Sequence, residues 1–105
     1  MTLRTTPAAN ADVSYLAAKL EYDRRGRGVS FLAAYRGVVE NIDRFPRMYP
    51  EAEDGVPGVE VRNATLGRFE LRVLYVVLDT EAVIVAIDHA RRQPGSWHYR
   101  LAEDL

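Results

Sequence analysis

Two apolar runs dominate the second half of the chain. Residues 68–78 read R-F-E-L-R-V-L-Y-V-V-L and residues 82–88 read A-V-I-V-A-I-D, with a polar break from Asp79 to Glu81 between them. Runs rich in Val, Ile, Leu and Tyr, joined by a tight polar turn, predict a β-hairpin at the centre of an antiparallel sheet. Alternation along the first run places Phe69, Leu71, Val73, Tyr75 and Val77 on one face, and Glu70, Arg72, Leu74 and Val76 on the other. Along the second, Val83, Val85, Ile87, His89 and Arg91 share a face, and Ile84, Ala86, Asp88, Ala90 and Arg92 share its opposite. The pairing register, which the sequence leaves open, decides which of these sets lies beside Arg72. A preceding strand is predicted from Val59 to Leu66, and Leu3 between Thr2, Arg4 and Thr5 marks a short edge strand.

The first half is patterned for helices. Thr6-Pro7 predicts a helix start, because a threonine oxygen caps free amides and proline at the first helical position gives up no hydrogen bond. Val13, Leu16 and Leu20, with Ala9 and Ala17, form the apolar stripe that follows. The run Asp23-Arg24-Arg25-Gly26-Arg27-Gly28 ends that helix, since glycine permits a left-handed exit. A second helix is predicted from Val29 to Arg44 or Phe45, with Phe31, Leu32, Tyr35, Val38, Val39 and Ile42 as its apolar face and Pro46 as its stop. So short a connection makes the pair an antiparallel helical hairpin. Gly37 is the expected point of close helix approach, and residues 46–58, rich in Pro, Gly and acid, are a loop.

Composition narrows the function. At 105 residues the chain is expected to be a single domain, 1–105, with one core. Without cysteine, and with only two histidines, it offers no disulfide framework and no thiolate or histidine metal site, so no cofactor or metal is expected. No apolar stretch approaches a membrane span, and a cytoplasmic location is the expectation. A net charge of -1 and a pI near 6.1 weigh against a protein whose main work is gripping bare nucleic acid, and leave room for a small local basic patch.

The charges that interrupt the strands are the candidate chemistry. An unpaired guanidinium is expensive to bury, so Arg72 either pairs across the sheet with Glu70, Asp79 or Asp88, or faces solvent. His89 ends an apolar strand, where a hydrogen-bonded structural role is commoner than a catalytic one. After the Pro94-Gly95 turn, Trp97 is expected to fold back over the edge of the core. If helices cover only one face of the sheet, Leu74, Val76 and Leu78 leave an apolar strip open on the other, and such a strip marks a partner surface.

The motif F-x-x-R-V-x-Y at Phe69 to Tyr75, H-A-R-R-x-P-x-x-W at His89 to Trp97, and D-R-F-P-R-M-Y-P at Asp43 to Pro50 together resemble the RelE/ParE family of type II toxin–antitoxin toxins, which includes plasmid stabilisation proteins. The resemblance implies an α+β fold, with an N-terminal helical hairpin packed on one face of a three- to four-stranded antiparallel sheet. It implies a growth-inhibiting toxin neutralised by a cognate antitoxin protein, in a toxin–antitoxin hetero-oligomer. In ribonuclease members, Arg72 and Arg91 would be the catalytic arginines supporting the phosphate at the cut. The implied partner- or target-binding surface comprises Arg68, Arg72, Leu74, Val76, His89, Arg91, Arg92 and Trp97. Trp97 stands where ribonuclease members commonly carry tyrosine, and Asn63 and Thr65 where lysines would stand. Indole exchanges no proton as a phenol does. These departures and the acidic pI favour the ParE-like branch, which acts on DNA gyrase. The alternatives are a ribosome-dependent mRNA endoribonuclease and a degenerate homologue that only binds its antitoxin.

Overall fold

The computed structural model describes the whole chain apart from the side chain of Asp104. In chain order the elements are β1 (Thr2–Thr5), α1 (Pro7–Asp23), α2 (Arg27–Arg44), β2 (Val61–Leu66), a single 3-10 turn (Gly67–Phe69), β3 (Leu71–Val77), β4 (Glu81–His89) and α3 (Tyr99–Asp104). Thr6 caps α1 as its sequence suggests: its backbone is extended and its Oγ1 accepts the Ala9 N–H at 3.1 Å. Gly26 takes the left-handed conformation, φ 88°, that reverses the chain between α1 and α2.

The two helices meet at Gly28, not at Gly37. A Cβ at Gly28 would stand 2.5 Å from the Ala17 carbonyl oxygen and 3.0 Å from Glu21 Cβ, whereas one at Gly37 would meet open space. Glu21 reinforces the junction by accepting the N–H groups of Gly26 and Gly28 at 2.9 and 3.0 Å. Phe31, Val38 and Ile42 of α2 are buried, while Leu32, expected on the same face, is 38% exposed.

Sheet order is β1-β4-β3-β2. The β2–β3 and β3–β4 pairs are antiparallel as expected, and β1 adds to the edge in parallel with β4, so the sheet is mixed. Thr6 continues that edge by donating its N–H to the Ile84 carbonyl at 3.0 Å, which feeds the chain directly into α1. On the helix-covered face Leu71, Val73, Tyr75 and Val77 of β3, with Phe69 from the turn, pack against Ala9, Leu16, Phe31, Val38 and Ile42. This is the face that alternation assigned to them.

Alternation fails on β4 because the strand is bulged. The register passes from Leu74↔Ala86 to Tyr75↔Ile84, leaving Val85 as the extra residue. Ile84 and Ile87 therefore both join the helix-side core, while Val83, Val85 and Ala86 pack on the opposite face. The uninterrupted alternation read from the sequence is corrected accordingly.

The opposite face is closed as well, and the open strip expected at Leu74 and Val76 does not exist. Both residues have zero exposure, as do Val83 and Val85. Ala52 and Val59 from the loop, and Trp97 and Leu101 from the C-terminal segment, cover them. The loop is laid along the outer edge of β2 by Asn63 N–H to Pro50 O at 3.0 Å and Ala52 N–H to Val61 O at 2.9 Å. Covering side chains as large as Leu and Val removes them from water at a gain of about 1.5–3 kcal/mol each, which is why the chain spends two irregular segments on it. Among the described residues no helix is long and apolar enough to cross a membrane.

Candidate functional site

Antiparallel pairing sets Arg72 directly opposite Asp88, on the face that the loop and the C-terminal segment cover. Its Nε donates to Asp88 Oδ1 at 2.8 Å. The fork of the same guanidinium engages Asp54 in two parallel bonds, Nη1 to Oδ1 at 3.0 Å and Nη2 to Oδ2 at 2.9 Å. Arg72 is thus held between two carboxylates, with side-chain exposures of 11% for the arginine and 9% and 6% for its partners. Burial alone would favour loss of its proton, and the hydrogen bonds to Asp54 and Asp88 overcome this, so its pKa is raised above the usual arginine value.

Asp54 is the hub of this arrangement, and the sequence reading missed it. Oδ2 also accepts the Gly95 N–H and the Trp97 Nε1–H, each at 2.9 Å, and the backbone oxygen of Asp54 lies 2.6 Å from His98 Nε2. Desolvation pushes the Asp54 carboxyl up, but the donors Arg72, Gly95 and Trp97 outweigh it and hold the group well below the usual carboxylate range. One aspartate in a loop therefore fastens the sheet arginine and the C-terminal segment together. The Asp54-Gly55 pair, a turn signal beside a strand carrying an arginine, was the available clue.

A second fastening holds α3. Arg100 grips Asp12 of α1 through Nη1–Oδ2 at 2.6 Å and Nη2–Oδ1 at 3.0 Å, and Nη1 also donates to Val85 O at 3.0 Å. Asp12 Oδ2 accepts the Ile87 N–H at 3.0 Å. The bulge residue Val85 and Ile87 thus find partners beyond the end of β1, as buried backbone groups must. The hydrogen bonds to Asp12 keep the Arg100 pKa above the usual arginine value.

Beside Arg72 opens a cleft of about 580 Å³, with Glu51, Glu53, Asp54, Asn63, Thr65 and Arg92 among its walls. Asn63 Oδ1 is buried there without a hydrogen-bond partner among the described residues. The cleft is acidic on balance, because the charge of Arg72 is already matched by Asp54 and Asp88. A phosphodiester placed there would meet Glu51 and Glu53 beside Arg92, and an Arg72 whose charge is already matched.

The other sequence candidates scatter. Arg91 is 84% exposed and pairs with Glu70 at 3.3 Å. His89 is exposed at the end of β4, in a shallow depression shared with Tyr15, Lys19 and Arg92. Arg68 lies beside Phe69, its guanidinium carbon 5.3 Å from the ring centroid. Trp97 is 2% exposed and packs with Leu74 and Val76. The expectation that Arg72, Leu74, Val76 and Trp97 present an accessible partner surface is therefore corrected: the chain covers them itself. Arg72 and Arg91 are each engaged by carboxylates of their own.

No curated protein sequence matches the chain. Among solved structures, a chain of the chromosomal ParDE TA system from P. aeruginosa superposes with a TM-score of 0.71 at 22% identity, covering 85% of this chain and 95% of that one. At that identity the likeness speaks for the fold. The family model of the ParE toxin of type II toxin-antitoxin system, parDE, matches residues 3–94, from the edge strand through the hairpin, the sheet and the Arg91-Arg92 turn. The chain belongs to the ParE toxin family.

Proposed function

We propose that this chain arrests growth by binding a macromolecular target, DNA gyrase, and that a cognate antitoxin neutralises it, without the chain cutting RNA itself. The observation that carries the reading is the state of Arg72. A catalytic arginine must have donors free for the charge that develops on a phosphate, and all three nitrogens of Arg72 already donate to Asp54 or Asp88, which match its charge. The neighbouring cleft carries Glu51 and Glu53, which repel an RNA backbone. Trp97, in place of a phenol, is occupied as a donor to Asp54. Binding rather than proton transfer is what such a surface supports.

The antitoxin is drawn from the relative, a ParDE system. With the second sheet face closed, its seat moves to the helical hairpin, where Tyr15, Tyr22 and Val29 are 66%, 91% and 70% exposed. Apolar side chains displayed in that way suit a segment that folds on contact.

Induced expression in bacteria tests the target. Growth arrest with DNA-damage signalling and inhibited supercoiling is the expected result. Position-specific cuts in translated mRNA would replace this reading with the ribonuclease one. A chain that binds the product of the adjacent reading frame yet leaves growth untouched would leave only antitoxin binding. Hydrogen exchange on the complex is expected to protect α1 and α2.

A further inference from the structure

Six of the thirteen arginines in this chain are spent internally. Arg4, Arg47, Arg62, Arg72, Arg91 and Arg100 each form an ion pair with a carboxylate. Seven form none among the described residues, and four of these, Arg24, Arg25, Arg27 and Arg68, line one cleft of about 310 Å³, with Gly26 and Ser30, at the tip of the hairpin. Four uncompensated cations around one opening, on a chain of net charge -1, are not a product of overall composition.

The cleft is built as well as charged. Arg27 donates from Nη2 to the Arg68 carbonyl at 3.2 Å. The guanidinium carbons of Arg27 and Arg68 stand 5.1 and 5.3 Å from the ring centroid of Phe69, itself buried in the core. Cation–π contacts hold these two groups in place without neutralising them. Arg24 and Arg25 are exposed. The carboxylates next to these arginines in the chain are engaged elsewhere: Glu21 with the amides of Gly26 and Gly28, Asp23 with Lys19, and Glu70 with Arg91. Since Glu21 already occupies those first amides of α2, side chains rather than the helix end supply the attraction.

We propose that this arginine cleft is a binding site for a compact, multiply charged phosphate group, such as a phosphate monoester or a diphosphate. A single guanidinium fork saturates a carboxylate, whereas four converging cations and a serine hydroxyl match a group with three acceptor oxygens and up to two charges. The engaged carboxylates around the rim confine the positive region, so it fits a localised anion better than the backbone of a long polyanion.

Calorimetric titration of the intact chain with pyrophosphate, at low and physiological salt, tests the site. Saturable one-to-one binding is expected, weakened at least about tenfold, or 1.4 kcal/mol, by R24Q/R25Q together. R44Q, at the other end of α2, is expected to leave it unchanged. Arg24 and Arg25 are exposed, and an unchanged melt of R24Q/R25Q would show that folding does not need them. A titration with AMP distinguishes a nucleotide phosphate from the inorganic ion, and binding of either supports the site. Absence of binding by both pyrophosphate and AMP, or equal weakening by R44Q, would overturn the proposal. So would preference for an oligo-aspartate peptide, or affinity that grows with the length of duplex DNA.

Discussion

Replacing Asp54 by Asn tests the central fastening with almost no change of shape. The amide keeps an oxygen at the Oδ2 position, which still accepts from Trp97, Gly95 and Arg72 Nη2, but its NH2 now faces Arg72 Nη1. The bond at 3.0 Å is lost with its carboxylate partner, and the one at 2.9 Å loses its charged acceptor. Each such bond is worth about 1.5–3 kcal/mol, and breaking a buried pair from one side costs about 3–5 kcal/mol. Because Asp88 still holds the Arg72 Nε, the low end applies, and D54N is expected to lose about 3 kcal/mol. That is a large part of the total stability of a small domain. The only tryptophan, Trp97, is itself a donor to Asp54 and is 2% exposed, so its emission reports opening at this point. Urea unfolding followed by that emission is expected to shift its midpoint down by roughly 2 M.

Acid gives the second arm of the same experiment. The Asp54 pKa is depressed in the folded chain, so the stability it contributes is complete above its unfolded value, near 3.8, and is lost as pH falls from there toward the lower folded value. The gap between wild type and D54N is therefore expected to narrow below about pH 4. A midpoint within about 0.5 kcal/mol of wild type, or a gap that stays constant in acid, would refute the reasoning.

Thermal melts of two glycine variants locate the helix junction. Gly28→Ala is expected to destabilise by about 1–3 kcal/mol through overpacking against Ala17 and Glu21, while Gly37→Ala, with open space around it, gains up to about 1 kcal/mol of helix propensity; the reverse order would place the contact elsewhere. Tyr75→Phe removes the hydroxyl that donates to Pro46 O at 2.6 Å, and unfolding curves are expected to lose about 1 kcal/mol. Burial pushes the Tyr75 phenol up to about 12, so wild type gives up stability as pH rises from 10.0 toward that value. Alkaline unfolding of Tyr75→Phe should lack that component, and an identical alkaline limb in both proteins would count against a buried, protonated phenol.

Local chemistry was legible in the sequence. The Thr6-Pro7 cap, the Gly26 reversal and the inward face of β3 each depend on a few neighbouring residues, and each stands where the pattern put it. The bulge at Val85 left no trace, because A-V-I-V-A-I is apolar at every position and either phase fits it. Closure of the second sheet face was hidden for another reason. Residues 46–60 and 90–98 carry no periodicity, and their order comes from Asp54, whose partners lie 18, 41 and 43 positions away along the chain. Asp88 was among the residues named as possible partners of Arg72, since cross-strand pairing is short-range once two strands are assigned. Asp54 was not, because a loop aspartate has no register to read.

The parallel edge strand has a consequence for synthesis. Thr2–Thr5 lie against Glu81–Ile84, and α1 packs on β4, so residues made early must wait for a strand far along the chain before they find their places. Loop closure over so long a span comes late in folding. Until then the apolar stripe of α1, from Ala9 to Leu20, has only α2 to shelter it. Until β4 is made, the nascent helical hairpin thus stays incomplete, and the four-stranded sheet cannot assemble.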